Sequence, residues 1–351
     1  MKYFSAFSGI GGFELGIHQA YELHKLCLKN TKQRQTARNT KRRLSKFTNL
    51  NTNRFTCVGY SEIDRYAIQV YHKHFPTHHN YGDITKITAK NLPNFELLVG
   101  GFPCQAFSIT EKRKGFKDIR GAMFFELARI LRAKQPRLFL FENVKGLLSH
   151  DHGHTFKTII TTLTKLGYDQ QWQVLNSKNF GVPQNRERVF IIGHLRTTCG
   201  RQVFPFGKNS EASKVRIEII GTTKEVHSTR IGVRDQVYSP NGLAGALRTS
   251  DYKQPPQILE FTHKQRQGYR VYNPHGISTT IASQGGGLGA KTGLYKTSGQ
   301  RIRRLTPTEC ERLQGFPDDW TEGLSDTQRY KSLGNAVTVQ VIQAIMERIL
   351  L

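Results

Sequence analysis

One of the five cysteines in the chain stands in a setting that suits a nucleophile. Cys104 follows a proline at the end of an apolar run, in "GGFPCQAFS" (100–108). Pro103 fixes its own φ and biases Phe102 toward extended geometry, so the backbone beside the thiol is restricted. A buried cysteine needs no such setting, because it packs like any small apolar residue. The stretch therefore predicts a reactive thiol, provided that other residues activate it.

Two further motifs supply an acid and a pair of arginines. "FENV" ends an apolar run with Glu142, and a protonated acid there can donate a proton. "QNRERVF" places Arg186 and Arg188 two residues apart at the start of a predicted strand, which puts both on one face. An arginine at a strand end can hold a carbonyl oxygen or an anion. A surface network with Glu187 is the alternative interpretation of this motif.

A glycine-rich turn and two acids point to a bound nucleoside. Gly9, Gly11 and Gly12 follow the first apolar run, and glycines let the backbone approach a ligand closely. Glu62 ends the second apolar run, where an acid can hold ribose hydroxyls. Asp83 lies in the next loop and could accept from an adenine amino group. Each acid alone could equally be a helix cap, but three such features in succession favour a cofactor site.

These residues need a sheet that brings them to one edge. The apolar runs that we predict to be strands lie at residues 2–8, 55–62, 95–101, 137–144 and 188–195. They alternate with helical patterns, which predicts an α/β fold with a mainly parallel sheet covered by helices on both faces. Ligands of such sheets bind at the carboxyl ends of the strands. Several of the residues singled out above fall at or near those ends.

Charge is the strongest signal in the composition. The chain has 52 Lys and Arg against 26 Asp and Glu, a net charge of +26, and such an excess draws nucleic acids by releasing their counterions. No apolar run is long enough for a membrane span, and the N-terminus does not resemble a signal peptide. Cysteines without framework spacing fit a reducing cytoplasm. The sequence has no CxxC motif and no cluster of His and Cys with the spacing of metal ligands, so we expect no metal site.

Two basic regions interrupt the strand–helix pattern. Residues 25–54 carry ten Lys and Arg and no Asp or Glu, which indicates a solvated insertion or an arm that binds phosphates. Residues 201–304 carry 17 Lys and Arg and 6 Asp and Glu. They contain a weak repeat, because "VYSPNGLAGALRTS" (237–250) is echoed by "VYNPHGISTTIASQ" (271–284). The repeat is either two similar hairpins or part of a surface that reads bases.

The sequence resembles the DNA (cytosine-5)-methyltransferases. The segments that carry the resemblance are "FSGIGGFELG", "GGFPCQAFS", "FENVKGL", "FGVPQNRERVF", "RRLTPTECERLQGFP" and "SLGNAVTVQV". They occur in the family's order from Phe4 to the C-terminus, and the arrangement looks closest to bacterial enzymes of the restriction–modification type. A tRNA cytosine-5 methyltransferase with the same core and a catalytically dead DNA-binding regulator are the alternatives.

The resemblance implies a Rossmann-like domain that binds S-adenosylmethionine and releases S-adenosylhomocysteine. That domain would take residues 1–198 and 325–351, with a basic insertion at about 28–54, and a smaller irregular target-recognition domain would take residues 199–324. The implied cofactor contacts are Phe7, Gly9, Gly11, Gly12, Glu62, Ile63, Asp83, Ile84, Pro103, Met123, Asn335 and Val337. The implied partners are double-stranded DNA and, functionally, a cognate restriction endonuclease, and we expect a monomer.

The resemblance also implies the chemistry. Cys104 would add to carbon 6 of a flipped-out cytosine, with Glu142 at ring N3 and Arg188, beside Arg186, at O2. The basic segment after Cys104 looks like a loop that closes over the flipped base. The predicted DNA contacts, some by resemblance and some by side-chain chemistry, are Gln105, Ser108, Arg120, Gln184, Arg248, Thr280, Ile281, Gln284 and Gly286.

Overall fold

The computed structural model describes most of the chain outside three long stretches. The described residues are 1–30, 55–103, 122–198, 200, 202–206 and 302–350, together with five short strands between 219 and 296. The chain divides into two compact units. The first comprises Met1–Leu175, Arg188–Phe206 and Val341–Leu351, and the second comprises Asn176–Glu187 and Gly207–Gln340.

A six-stranded sheet forms the centre of the first unit. Its strands are β1 (Lys2–Ala6), β2 (Thr56–Ser61), β3 (Leu97–Gly101), β4 (Leu138–Val144), β5 (Tyr168–Asn176) and β6 (Glu187–Leu195). They lie in the order β2-β1-β3-β4-β6-β5. β1 pairs in parallel with β2 and β3, β3 pairs in parallel with β4, and β4 pairs antiparallel with β6. The predicted α/β class and mainly parallel sheet are confirmed.

The five predicted strands all occur, with ends that differ by up to two residues. β1 stops at Ala6 because the next residue, Phe7, has a positive φ of 54° and turns the chain. β5 was not predicted. Its sequence "YDQQWQVLN" is mostly polar and half-exposed, as suits a strand at the sheet's edge, and so it lacks an apolar signature.

Four helices accompany the sheet along the chain: α1 (Gly12–Asn30), α2 (Arg65–His74), α3 (Ala122–Lys134) and α4 (His154–Lys165). Single 3₁₀ turns occupy Ile84–Lys86, Ala89–Asn91, Lys145–Leu148 and His150–Gly153. Asp64 caps α2 by accepting from the backbone amides of Tyr66 and Ala67. Within the described residues, no helix is long and apolar enough to cross a bilayer.

The core lies where the central strands are apolar on both faces. Leu98, Phe139, Phe141 and Ile191 are fully buried in one cluster with residues of α3 and α4. Phe139 and Phe141 stack with ring centroids 4.6 Å apart. Strands buried on both faces read as continuous apolar runs, which is why "LFLF" and "VFII" could be recognised. This core holds the strand ends rigidly in register.

The second unit contains two small sheets and two helices. One sheet has β7 (Ile219–Thr222), β8 (Gln236–Tyr238) and β9 (Gln257–Ile258), and the other has β10 (Val271–Tyr272), β11 (Leu294–Lys296) and β12 (Ile302–Arg304). α5 (Pro307–Gln314) and α6 (Asp326–Asn335) follow, and α7 (Val339–Leu350) ends the chain. The first dipeptides of the sequence repeat fall in β8 and β10, and most of both copies lies outside the described residues.

A buried ion pair shapes the second unit between α5 and α6. Glu311 is fully buried, and its carboxylate accepts from the backbone amides of Asp319 and Thr321, at 2.7 and 2.8 Å, and from Arg329 at 3.0 Å.

The compact units place residues 176–187 and 325–340 together, whereas we predicted both in the catalytic domain. The predicted division into two functional domains stays a prediction. The basic insertion lies outside the described residues from position 31 onward.

Candidate active site

The glycine-rich turn after β1 is tightly wound. Gly9 and Gly11 have φ of 55° and 88°, and the amide of Gly11 donates to the carbonyl of Ser8 at 3.1 Å. A Cβ atom on Gly11 would lie only 2.5 Å from the Phe75 ring. Both the positive φ and this close approach require glycine at position 11. Gly12, also predicted to bind cofactor, begins α1, so the turn leads directly into a helix N-terminus.

Glu62 joins the ends of β1 and β2. One carboxylate oxygen accepts from the amide of Gly9 at 2.9 Å, and the other accepts from the amides of Ile63 and Asp64 at 2.8 and 2.9 Å. The side chain of Ile63 is 72% exposed beside this carboxylate. An acid, an exposed apolar side chain and a glycine turn therefore lie together at the carboxyl ends of β1 and β2. The order of the sequence predicted this placement for the acid and the turn.

Asp83 begins the 3₁₀ turn Ile84–Lys86. Its Oδ1 accepts from the amide and hydroxyl of Thr85 at 3.0 and 2.8 Å. These bonds, the one from the hydroxyl first, lower the pKa of Asp83 below its ordinary value. Because both bonds use Oδ1, Oδ2 is the oxygen that can accept from a ligand. Ile84 is buried, and Met123 at the start of α3 is half-buried against the core cluster.

Asn80 and Ser61 join the Glu62 and Asp83 segments, and sequence analysis assigned neither a role. The Asn80 amide donates to the carbonyl of Glu62, and its oxygen accepts from the amides of Glu62 and Gly82. The Ser61 hydroxyl donates to the carbonyl of Gly82 at 2.6 Å. An asparagine two residues before a glycine, as in Asn80-Tyr81-Gly82, gives only a general turn signal.

Glu142 and Arg188 form an ion pair on neighbouring strands. Arg188 Nε lies 3.1 Å from Glu142 Oε1, and the two side chains are 15% and 13% exposed. Arg188 pairs with Val144 in the antiparallel β4–β6 register, which places its side chain near the end of β4. Burial lowers the pKa of Arg188 from its ordinary value, and the Glu142 carboxylate opposes that change. The pair sets a carboxyl group beside guanidinium donors.

The last residues of β3 shape the approach to Cys104. A Cβ atom on Gly101 would lie 3.1 Å from Glu142 Oε2, so a glycine there leaves room for the acid. Asn143 is buried and donates to the carbonyl of Phe102 at 2.9 Å. No sequence pattern indicates a role for Asn143. It fixes the backbone just before Pro103, which is exposed where the described segment ends.

Arg186 and Arg188 have different partners. Arg186 is buried in the second unit, where its Nη atoms donate to the carbonyls of Gly334 and Ala336 at 2.9–3.3 Å. It thereby holds the backbone on both sides of Asn335, which is exposed, while Val337 is buried. β6 begins at Glu187, so Arg186 precedes the strand on which both arginines were expected to share a face. Its catalytic role stays a prediction.

Gln184 is fully buried in the second unit, where its amide lies 3.4 Å from the carbonyl of Leu313. Its predicted DNA contact stays a prediction. The predicted site residues that lie outside the described residues are Cys104, Gln105, Ser108, Arg120, Arg248, Thr280, Ile281, Gln284 and Gly286.

A buried acid lies beneath the glycine turn. Glu14, in the first turn of α1, is fully buried and close to the hydroxyls of Ser5 and Tyr71. Within the described part of the chain, neither of its carboxylate oxygens has a hydrogen bond of good geometry. Burial raises the pKa of Glu14 to about 7 and lowers that of neighbouring His18, one turn along α1, to about 4.

Comparison with known proteins places the chain in a family. The C-5 cytosine-specific DNA methylase family matches residues 1–351. The Type II methyltransferase M.HhaI of Haemophilus parahaemolyticus is 38% identical over 290 residues, which is 82% of this chain and 86% of that protein. M.SsoII of Shigella sonnei is 36% identical over 346 residues, 98% of this chain and 78% of that protein.

Solved structures share the fold. The Dnmt2 methyltransferase of S. pombe superposes with a TM-score of 0.62 at 18% identity, covering 100% of this chain and 98% of that one. A putative DNA modification methyltransferase from an E. coli prophage superposes with a TM-score of 0.60 at 18% identity, covering 100% of this chain and 98% of that one. Because the family matches the whole length and relatives above 30% identity cover most of it, the chain belongs to the C-5 cytosine-specific DNA methylase family.

Proposed function

We propose that this protein methylates carbon 5 of a cytosine within a specific double-stranded DNA sequence, as the modification half of a restriction–modification system. The observation that carries the proposal is the Glu142–Arg188 pair, 3.1 Å apart at the end of β4 and next to the β3 end that leads to Cys104. Acid, guanidinium and the approach to the thiol thus meet at one sheet edge. The similarity to Type II methyltransferases supports the proposed role as the modification enzyme of such a system.

The residues around the glycine turn fit S-adenosylmethionine. The Glu62 carboxylate suits ribose hydroxyls, the exposed Ile63 side chain suits the face of an adenine ring, and Asp83 suits its amino group. The glycine turn lets the backbone come close to the rest of the molecule. When bound, S-adenosylmethionine supplies an electrophilic methyl group. We infer that Phe7, Ile84, Pro103 and Met123 complete the part of this site that lies in the first unit. The cofactor contacts of Asn335 and Val337 stay predictions.

Cys104 is the proposed nucleophile, because cytosine carbon 5 is too weak a nucleophile to take a methyl group unaided. The Cys104 thiolate forms a bond to carbon 6, and the electron pair of the 5,6 double bond becomes available at carbon 5. After carbon 5 has taken the methyl group, it loses its proton to a base, which we propose to be water. The thiolate then leaves carbon 6, and the double bond is restored.

Glu142 and Arg188 stabilise the charge that this addition creates. Negative charge spreads over ring N3 and O2. Glu142, a carboxylate in the ion pair with Arg188, donates to N3 after it has taken up a proton from solvent, and the Arg188 guanidinium donates to O2. Their ion pair holds both side chains in place before the base arrives, which limits the reorganisation needed during reaction. The target lies within a duplex, so the base has to leave the stack to reach this edge.

Methylcytosine sequencing of DNA from cells that express the protein tests the proposal. We expect methylated cytosine at one short sequence, and none with the Cys104→Ser variant as the matched control. Purified protein, incubated with radiolabelled S-adenosylmethionine, should label duplex DNA carrying that sequence and leave tRNA unlabelled. Labelling of tRNA alone would favour the tRNA methyltransferase alternative, and labelling of neither would favour a regulator without activity.

A further inference from the structure

Arg129 joins two parts of the proposed cofactor site. It lies on α3, and its Nη1 and Nη2 donate to the carbonyls of Ile87 and Ile84 at 2.7 and 2.9 Å. These carbonyls belong to the turn that begins at Asp83. We propose that Arg129 is a positioning residue, which holds the Asp83–Ile84 turn against α3 and thereby sets the affinity for the cofactor. This inference rests on the proposed function of that turn.

Arg129 adds to the backbone bonds of the turn, in which the amide of Lys86 donates to the carbonyl of Asp83 at 2.9 Å. The carbonyl of Ile84 accepts from the amide of Ile87 at 3.4 Å, a long bond, but from Arg129 Nη2 at 2.9 Å. Charge-assisted bonds are also the stronger kind. Both Ile84 and Ile87 are buried, so a carbonyl that loses its donor there cannot easily find water. Removing Arg129 should therefore let the turn shift.

A salt bridge with Glu126 orients the guanidinium of Arg129. Arg129 Nε lies 2.7 Å and Nη2 2.5 Å from Glu126 Oε2, one turn earlier on α3. The three nitrogens of the planar group thus have fixed partners, and only an arginine offers this arrangement. A lysine keeps the charge but cannot donate to both carbonyls with the same geometry.

Helix α3 also carries other residues near the proposed site. Met123, a proposed cofactor contact, lies at its start, and the next residue, Phe124, packs on Phe102 with ring centroids 5.7 Å apart. Phe102 precedes Pro103 and Cys104. Arg129 therefore ties the turn that holds Asp83 to the helix that packs on Phe102, two residues before Cys104. A site assembled from two segments needs such a tie to hold its spacing.

The experiment is titration calorimetry of S-adenosylhomocysteine on the full chain. We expect Arg129→Met to weaken binding by about tenfold or more and Arg129→Lys by less. The matched control is Lys134→Met, which removes a bond of the same kind from α3 to the carbonyl of Lys90, in the next 3₁₀ turn. It should bind as the wild type does.

Steady-state kinetics then separate positioning from general stability. The KM for S-adenosylmethionine should rise by the same factor as the dissociation constant, while kcat at saturation and DNA affinity stay within about twofold. Folded Arg129→Met protein that binds as tightly as the wild type would overturn the inference and leave the proposed function standing. If Arg129→Met does not fold, unchanged binding by Arg129→Lys would overturn it. Wild-type protein that binds no S-adenosylhomocysteine would refute the proposed cofactor, and this inference with it.

Discussion

Replacing Glu14 with glutamine should stabilise the folded protein above about pH 7 and change it little near pH 5, since the variant lacks a charge that is costly to bury. Glu14 is fully buried beneath the glycine turn, and burial raises its pKa from 4.5 to about 7. The folded state therefore holds this proton more tightly than the unfolded state. The stability that goes with the proton is fully present below about pH 4.5 and is lost as pH rises through about 7.

The size of the effect follows from those two values. They differ by about 2.5 pH units, and each unit corresponds to about 1.4 kcal/mol, so ionising Glu14 costs the folded state about 3 kcal/mol. The glutamine amide has nearly the same shape and no charge. His18 has a lowered pKa, so its contribution has the opposite sign and is lost as pH falls below about 6.5 toward 4. Because both proteins contain His18, its effect cancels in their difference.

Urea denaturation of the two proteins between about pH 5 and pH 8 measures this difference. We expect the free energy of unfolding of Glu14→Gln to exceed that of the wild type by an amount that grows with pH to about 3 kcal/mol. Glu22→Gln, at a partly exposed position two turns further along α1, is the matched control for removing a carboxyl group from this helix. Parallel curves for Glu14→Gln and wild type would refute the reasoning, because the buried carboxyl would then ionise without cost.

Three further predictions concern the turn, the ion pair and the insertion. Gly11→Ala should lower the free energy of unfolding, measured by thermal denaturation, by about 1–3 kcal/mol more than Gly181→Ala does. Gly181 has nearly the same φ as Gly11 but open space around it, so equal losses would exclude the clash with Phe75. Arg188→Lys should lower kcat by at least about tenfold without weakening S-adenosylhomocysteine binding, because an ammonium cannot reproduce the pairing of the guanidinium with Glu142; an unchanged kcat would remove Arg188 from the mechanism. Replacing residues 31–53 with a Gly/Ser linker should leave the methylated sequence unchanged and make the dependence of DNA affinity on salt shallower, by about 0.9 in log–log slope for each phosphate that the protein no longer neutralises. An unchanged slope would identify an inert insertion.

Residues beside apolar strands could be placed from the sequence, whereas several polar residues that hold the backbone of the site could not. Glu142 follows a continuous apolar run that only a buried strand explains, and the order of the runs predicted that it would share an edge with the glycine turn. Asn143, Asn80 and Arg129 carry no such signal, because their partners are backbone carbonyls or amides that no local pattern points to.

Arg186 shows a limit of predicting side-chain positions from the two-residue repeat of a β-strand. Two arginines at spacing two share a face only if both lie on the strand, and β6 begins one residue too late for Arg186. Its guanidinium instead holds the carbonyls on either side of Asn335, a contact across about 150 residues that no local pattern encodes. β5 escaped prediction for a related reason, because its polar, half-exposed sequence resembles that of a loop.

Covalent trapping tests the central claim most directly. The substrate is duplex DNA that carries 5-fluorocytosine at the methylated position, because fluorine cannot leave carbon 5 as a proton does. With S-adenosylmethionine present, the wild-type protein should form a complex with this DNA that survives denaturation, and Cys104→Ser should form none while still binding the DNA. A wild-type protein that methylates ordinary cytosine at that site but leaves no trapped complex would contradict addition of Cys104 to carbon 6.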